Sequence, residues 1–210
     1  MRNLVVRYSR RGLLLAAAGT LTGCVSALPG QGPPPRSFRL TPKTTFPDDV
    51  PHVNWSLAVA EPTAEQTLDT TRIAVVTDGI GVDYVALANW VDRAPAMVQS
   101  LLVQSFLASG RIEAVGTDRD RLHAQYLLRS ELRAFQLNRH NGDRAVRIRL
   151  DTSLLQLPRR ENVGHHSFAA EVVPEGQGMD AVVTAFDIAL GRVLRDSVVW
   201  TLRTGQSVEI

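Results

Sequence analysis

The sequence predicts an α+β fold: a mostly antiparallel sheet with two main helices packed on one face. Three observations predict it. Residues 126–152 alternate apolar and polar side chains on either side of an Asn141-Gly142 turn signal, the pattern of a long hairpin. Residues 179–194 carry an apolar stripe at helical spacing, and residues 89–109 carry a second one. One face of such a sheet must be covered, and two amphipathic helices can cover it.

The first element is not part of that fold. Arg2, Arg7, Arg10 and Arg11 are followed by the uncharged apolar run Gly12–Leu21, and small residues then lead to Cys24. This is the charged, apolar and small-residue succession of a secretory signal. The run is well short of the ~20 apolar residues that a membrane-spanning helix needs. Leu21-Thr22-Gly23-Cys24 resembles the bacterial lipobox, in which the cysteine is lipidated and becomes the new N-terminus. The resemblance implies that the Cys24 thiol carries acyl chains, palmitate among them, each holding the membrane at ~0.8 kcal/mol per buried CH₂. Cys24 is the only cysteine, so no disulfide can form within the chain. Ser9–Leu14 resembles a twin-arginine export signal, and paired arginines also occur in ordinary secretory signals. Val25 follows the cysteine where an aspartate commonly retains a Gram-negative lipoprotein at the inner membrane. Outer-membrane anchoring facing the periplasm is therefore expected, with inner-membrane anchoring the alternative.

The leader also settles how to read the charge. The formal net charge is +2 and the pI about 9.1, but no acid lies before Cys24. Removing the four leader arginines from the 23 basic residues leaves fewer bases than the 21 acids. A nucleic-acid partner thereby loses its support and none is expected, because the excess basicity sits in a segment expected to be cleaved off.

Residues 25–36 hold Pro29, Gly30, Gly32 and Pro33-Pro34-Pro35, the composition of a semi-extended tether. The expected organisation is a signal over 1–23, a tether over 24–36 and a folded domain over 37–205. Ser37–Leu40 predicts a short strand, and residues 41–54, with three prolines, a loop. Trp55–Ala60 and Arg72–Val76 predict strands that stop at Pro62 and at Asp78-Gly79. Gly79 and Gly81 are read as turn residues, since no nucleotide-binding fingerprint follows them.

From Asn89 to Ser109, Val91, Pro95, Val98, Leu101, Leu102 and Phe106 recur at three and four. Asn89 or Asp92 is the expected N-cap and Gly110 the expected stop. Tyr126, Leu128 and Leu132 share one strand face opposite Gln125, Arg129, Glu131 and Arg133. The phase shifts at Phe135 and Leu137, which predicts a bulge. Val146, Ile148, Leu150 and Thr152 alternate with Arg147, Arg149 and Asp151 on the returning strand. Ser167–Val173, after Gly164, predicts a third strand. The closing helix runs from Met179 at least to Trp200, with Met179, Val182, Val183, Phe186, Ala189, Leu190, Val193 and Leu194 as its apolar stripe.

Catalytic and metal chemistry is not signalled. His165-His166 is the only histidine pair among His52, His123, His140, His165 and His166, and neighbours on a strand point to opposite faces. No further Cys or His completes a zinc set. There is no Gly-x-Ser-x-Gly elbow, and a lipidated Cys24 cannot serve as a nucleophile. Asp69, Asp78, Asp83 and Asp92 lie near turns or helix starts, where capping accounts for them. No catalytic residue, metal ligand or cofactor is therefore expected. Two features suit a partner: a polar strand face with Arg129, Arg147 and Arg149, and Tyr84 with Trp90 ahead of the first helix, an aromatic edge if exposed and core if buried.

The blocks Leu68–Val75 and Asp83–Pro95 resemble the ABC-type transport auxiliary lipoprotein family. Phe38-Arg39-Leu40, Tyr126-Leu127-Leu128 and Ala185–Trp200 fit the same pattern, so the likeness spans residues 37–203. Asn89 stands where a small residue is usual, and Phe38 where tyrosine is commoner. The resemblance implies a non-enzymatic periplasmic lipoprotein. Its partners would be an MCE-domain protein and an ABC transporter permease and ATPase, with phospholipid as a cargo class. Two other readings compete: an envelope lipid-binding or assembly-chaperone lipoprotein, which needs an apolar cleft, and a periplasmic hydrolase, which needs a perturbed acid–base pair.

Overall fold

The computed structural model describes residues 34–208, and the leader and Cys24 lie outside them. A compact unit begins at Pro35. Its strands are β1 (Arg36–Phe38), β2 (Val53–Val59), β3 (Thr63–Ala64), β4 (Arg72–Thr77), β5 (Gly81–Trp90), β6 (Ile112–Thr117), β7 (Tyr126–His140), β8 (Asp143–Gln156) and β9 (Glu161–Val172). Its helices are α1 (Ala94–Ser109) and α2 (Met179–Val208).

Strand β7 organises the sheet. Along one edge it pairs antiparallel with β8 from Tyr126↔Gln156 to His140↔Asp143. Along the other edge it is flanked in turn by β2, β3 and β4, all parallel to it: Leu57↔Tyr126, Thr63↔Glu131, Ala74↔Gln136. The chain from β2 to β4 thus tracks β7 end to end, and residues 65–71 leave the track as a loop. β6 extends the sheet beyond β2, β5 and β1 extend it beyond β4, and β9 closes it beyond β8. The three antiparallel ladders hold most of the paired residues, which makes the sheet mostly antiparallel, with short parallel ladders around β7.

The hairpin forms as its sequence dictates. Asn141 and Gly142 take φ of 48° and 90°, the two positive values of a type I′ turn. The predicted bulge falls between Leu132 and Ala134, leaving Arg133 out of register. The extra residue flips the alternation, so Leu128 and Leu132 before it and Phe135 and Leu137 after it all turn to the buried side.

Both helices cover that side. α2 lays Phe186, Ala189, Leu190, Val193, Leu194, Val198 and Leu202 into the core, all buried. α1 adds Val98, Leu102 and Phe106. Trp90, Phe135 and Phe186 pack as a triad with centroids 5.0–5.5 Å apart, at aromatic contact distance. α2 is long enough to cross a bilayer but carries charges on its outer side. Among the described residues no helix is long and apolar enough to span a membrane.

Three expectations need correction. The first helix starts at Ala94 rather than Asn89, and its N-cap is Arg93, without a side-chain cap. Residues 81–90 are taken by β5, where Asn89 pairs with Arg72, and the Trp90 N–H donates to Thr71 O at 2.7 Å. Sheet pairing there overrides the helical spacing. Arg93 bridges Glu61 and Asp69; these hydrogen bonds raise its pKa above the ordinary arginine value. Second, β9 starts at Glu161, and Gly164 lies inside it. A Cβ on Gly164 would sit 2.8 Å from Thr204 and 3.0 Å from Trp200, so its absence lets α2 approach the strand. Third, β6 lies where the sequence signals no element.

The two helical glycines of α2 give opposite expectations. A methyl group at Gly205 would fall 2.4 Å from the buried Trp55 ring, whereas at Gly191 it would meet only Lys43 at 4.0 Å. Gly191→Ala should stabilise by about 0.5–1 kcal/mol through helix propensity. Gly205→Ala should destabilise by about 1–3 kcal/mol despite the same propensity gain, because the core is overpacked. Urea denaturation of both variants checks the pair.

Candidate functional site

The sheet face turned away from the helices is polar, and it carries the candidate site. Alternation along β7 and β8 sends Arg129, Glu131 and Arg133 to this face from one strand and Arg147, Arg149, Asp151 and Ser153 from the other. β9 adds His165 and Ser167. Arg129, Glu131, Arg133, Asp151, Ser153 and His165 line an open depression of about 420 Å³, bounded on its far side by Glu61 and Thr63.

Asp151 is the hub. Its side chain is only 15% exposed. Oδ1 accepts from Arg149 Nε at 3.0 Å and from Ser167 Oγ at 2.5 Å, and Oδ2 accepts from Arg133 Nε at 3.3 Å. Arg133 also reaches Glu131 at 2.9 Å. Burial pushes the Asp151 carboxyl up, but the hydrogen bonds from Ser167, Arg149 and Arg133 outweigh it and hold its pKa below the ordinary aspartate value. The bulge makes this arrangement available, since the out-of-register residue is Arg133 itself.

The predicted partner residues divide. Arg149 is engaged by Asp151. Arg129 and Arg147 are exposed and make no ion pair among the described residues. Tyr84 is half-buried, donates its hydroxyl to Thr67 O at 3.2 Å and lies under the Arg72 guanidinium at 3.8 Å. Trp90 is 2% exposed, so it serves the core and offers no aromatic edge to a partner. Tyr84 and Trp90 therefore do not form one surface. Cys24 lies outside the described residues. Asp151 was legible as a strand residue among arginines; its role as the hub was not, because that depends on Ser167 arriving from β9.

The histidine pair splits between faces. His165 Nδ1 lies 3.2 Å from Ser153 Oγ on the polar side. His166 stacks against Phe168 and Trp200 beside α2, at 4.6 and 6.0 Å. Ser153 and His165 touch, but Asp151 is committed to the arginines and Ser167, so among the described residues no acid is seen to orient the imidazole as a triad requires. Among the described residues no group of three or more His, Cys, Asp and Glu side chains could hold a metal ion.

A two-helix layer on a β7-centred sheet, with a polar outer face, defines an α+β domain. The chain belongs to the family of ABC-type transport auxiliary lipoprotein components, whose sequence model matches residues 38–197. It is similar to the crystal structure of protein XCC0632 from Xanthomonas campestris, of family DUF330. The TM-score is 0.78 at 28% identity, covering 83% of this chain and 98% of that one. The hypothetical protein CT253 from Chlamydia trachomatis shares the fold at 7% identity, with a TM-score of 0.51 over 71% of this chain and 96% of that one. The chain is also 30% identical over 155 residues to the uncharacterized protein bll6063 of Bradyrhizobium diazoefficiens. That match takes in 70% of this chain but only 39% of the relative's length. The family is described as that of lipoprotein components auxiliary to ABC-type transport.

Asp151→Asn removes the charge and keeps the shape. It should lower stability at pH 7 by about 1–3 kcal/mol, the worth of charge-assisted hydrogen bonds left half-made. With the folded pKa below the unfolded value, the carboxylate's contribution is present above about pH 4 and is lost as pH falls through the folded value. The gap between wild type and variant should therefore narrow below pH 4. Urea titrations at neutral and acid pH read it.

Proposed function

We propose that the protein is an outer-membrane lipoprotein that positions an MCE- and ABC-type lipid transport assembly by tethering, without catalysis of its own. Cys24 is the anchor, the proline-rich segment after it gives reach, and the α+β domain holds the partner. The observation that carries this reading is the family match over residues 38–197, together with a Leu-Thr-Gly-Cys segment behind a signal-like leader. Two features of the domain support tethering over lipid carriage. The space between sheet and helices is filled by Trp55, Trp90, Phe106, Phe135 and Phe186, all essentially buried, and the depression on the outer face is open and polar. A carrier of acyl chains needs an apolar cavity. Arg129 and Arg147, exposed on the polar face, are the side chains proposed to meet an acidic patch on the partner.

Affinity capture of the detergent-solubilised lipoprotein from its native envelope tests this. An MCE-domain protein with a permease and an ATPase is the expected recovery. Joint replacement Arg129→Glu and Arg147→Glu should cut the recovery about tenfold or more, the equivalent of ~1.4 kcal/mol of binding, with the fold unchanged by circular dichroism. Recovery of the lipoprotein alone would contradict the reading.

A further inference from the structure

One end of the sheet gathers three loops. The β4–β5 hairpin turns at Asp78–Ile80, the β7–β8 hairpin at Asn141-Gly142, and residues 173–178 lead from β9 into α2. They are joined: the Asp78 N–H donates to Arg139 O at 2.9 Å, His140 Nδ1 meets Asp78 Oδ1 at 3.2 Å, and Arg144 donates to Gly176 O. This end carries aliphatic side chains that nothing covers. Ile80 is 90% exposed between two glycines, Val173 is 67% exposed and Val82 is 45% exposed.

The chain enters the fold pointing away from that end, with Arg36 level with Ala88 in the last part of β5. β1 runs parallel to β5, and β5 leaves the hairpin at Gly81, so the chain before Arg36 heads toward the loops. Arg36 Nη2 pairs with Asp180 Oδ1 at 3.0 Å, and Asp180 is the second residue of α2. Reach then favours one orientation. At most about 3.3–3.6 Å per residue is available, so the stretch from Cys24 to Arg36 spans no more than about 40 Å. α2, with 30 residues at 1.5 Å each, is about 45 Å long. Only when fully drawn out does a tether of that length match the length of α2, whereas the loop end lies well within its reach.

From this we infer that the loop end is a lipid-contact surface: Ile80, Val82 and Val173 enter the headgroup region of the bilayer that holds Cys24. The inference rests on the anchor proposed above. Arg139, Arg144 and His140 are offset by Asp78, Asp143 and Glu175, so the contact depends on aliphatic insertion rather than on anionic lipid. A few aliphatic side chains bind a membrane weakly by themselves; tethering makes the encounter intramolecular and raises its effective concentration.

Cys24 is the sole cysteine, so in the lipidated protein a new cysteine is the sole free thiol. The full-length Ile80→Cys variant, matured by the host, is labelled with a polarity-sensitive dye. It is then reconstituted in vesicles of phosphatidylethanolamine with a minor share of phosphatidylglycerol. Arg159→Cys, at the opposite β8–β9 turn, serves as the control. The dye at position 80 should shift to the blue and lose most of its emission to bromolipid quenchers, at low and high salt alike, while the dye at 159 stays unquenched. Mass spectrometry of the same samples separates the two claims. Acylated Cys24 with an unquenched position 80 overturns the lipid-contact surface alone, and leaves a protein partner for that end. An unacylated Cys24 overturns the anchor and this inference together.

Discussion

Every other element takes its position from β7. A fifteen-residue strand in the middle of a sheet needs a partner on each edge, because a buried peptide group without one costs more than most side-chain contacts return. β8 satisfies one edge over its whole length, and β2, β3 and β4 divide the other. This arrangement fixes the sheet's forked shape, with one branch through β2 to β6 and another through β4 to β5 and β1. The core follows from the same strand. Tyr126, Leu128, Leu132, Phe135 and Leu137 are buried on the side that α2 covers, and the bulge after Leu132 keeps them there as the sheet twists.

The bulge also connects packing to surface chemistry. By placing Arg133 out of register it supplies the second guanidinium on Asp151, which turns a row of alternating charges into a bonded cluster. The middle of the polar face is thus an ion-paired cluster, with Arg129 and Arg147 exposed beside it. In the proposed tethering role, these two cations are the ones that face the partner. That role agrees with the family to which the chain belongs, that of auxiliary lipoprotein components of ABC-type transport.

Much of this was legible because the hairpin and α2 each repeat one simple period for many residues. The Asn141-Gly142 turn, the bulge ahead of Phe135 and the stripe from Met179 to Leu194 are local signals, and the structure holds them where the sequence puts them. The segments that were not legible depend on distant partners. Residues 81–90 look like the approach to a helix, yet they form a strand because β4 and β1 offer ladders. β5 even accommodates a wide irregularity there, with Leu87 at φ 55°, before Asn89 regains register with Arg72. Ile112–Thr117 has too few apolar residues to announce a strand and exists because β2 has a free edge. At the candidate site, the arginines could be read from alternation, but Trp90 could not be assigned to the core until Phe135 and Phe186 were seen to enclose it.

If β7 is the element on which the rest depends, it should be the last to open. Native-state hydrogen exchange of the lipidated protein in detergent measures this directly. The account predicts that amides from Leu128 to Leu137 form the slowest set and exchange with the free energy of global unfolding. Exchange of those amides through a smaller opening, while α2 or β9 stays protected, would contradict it.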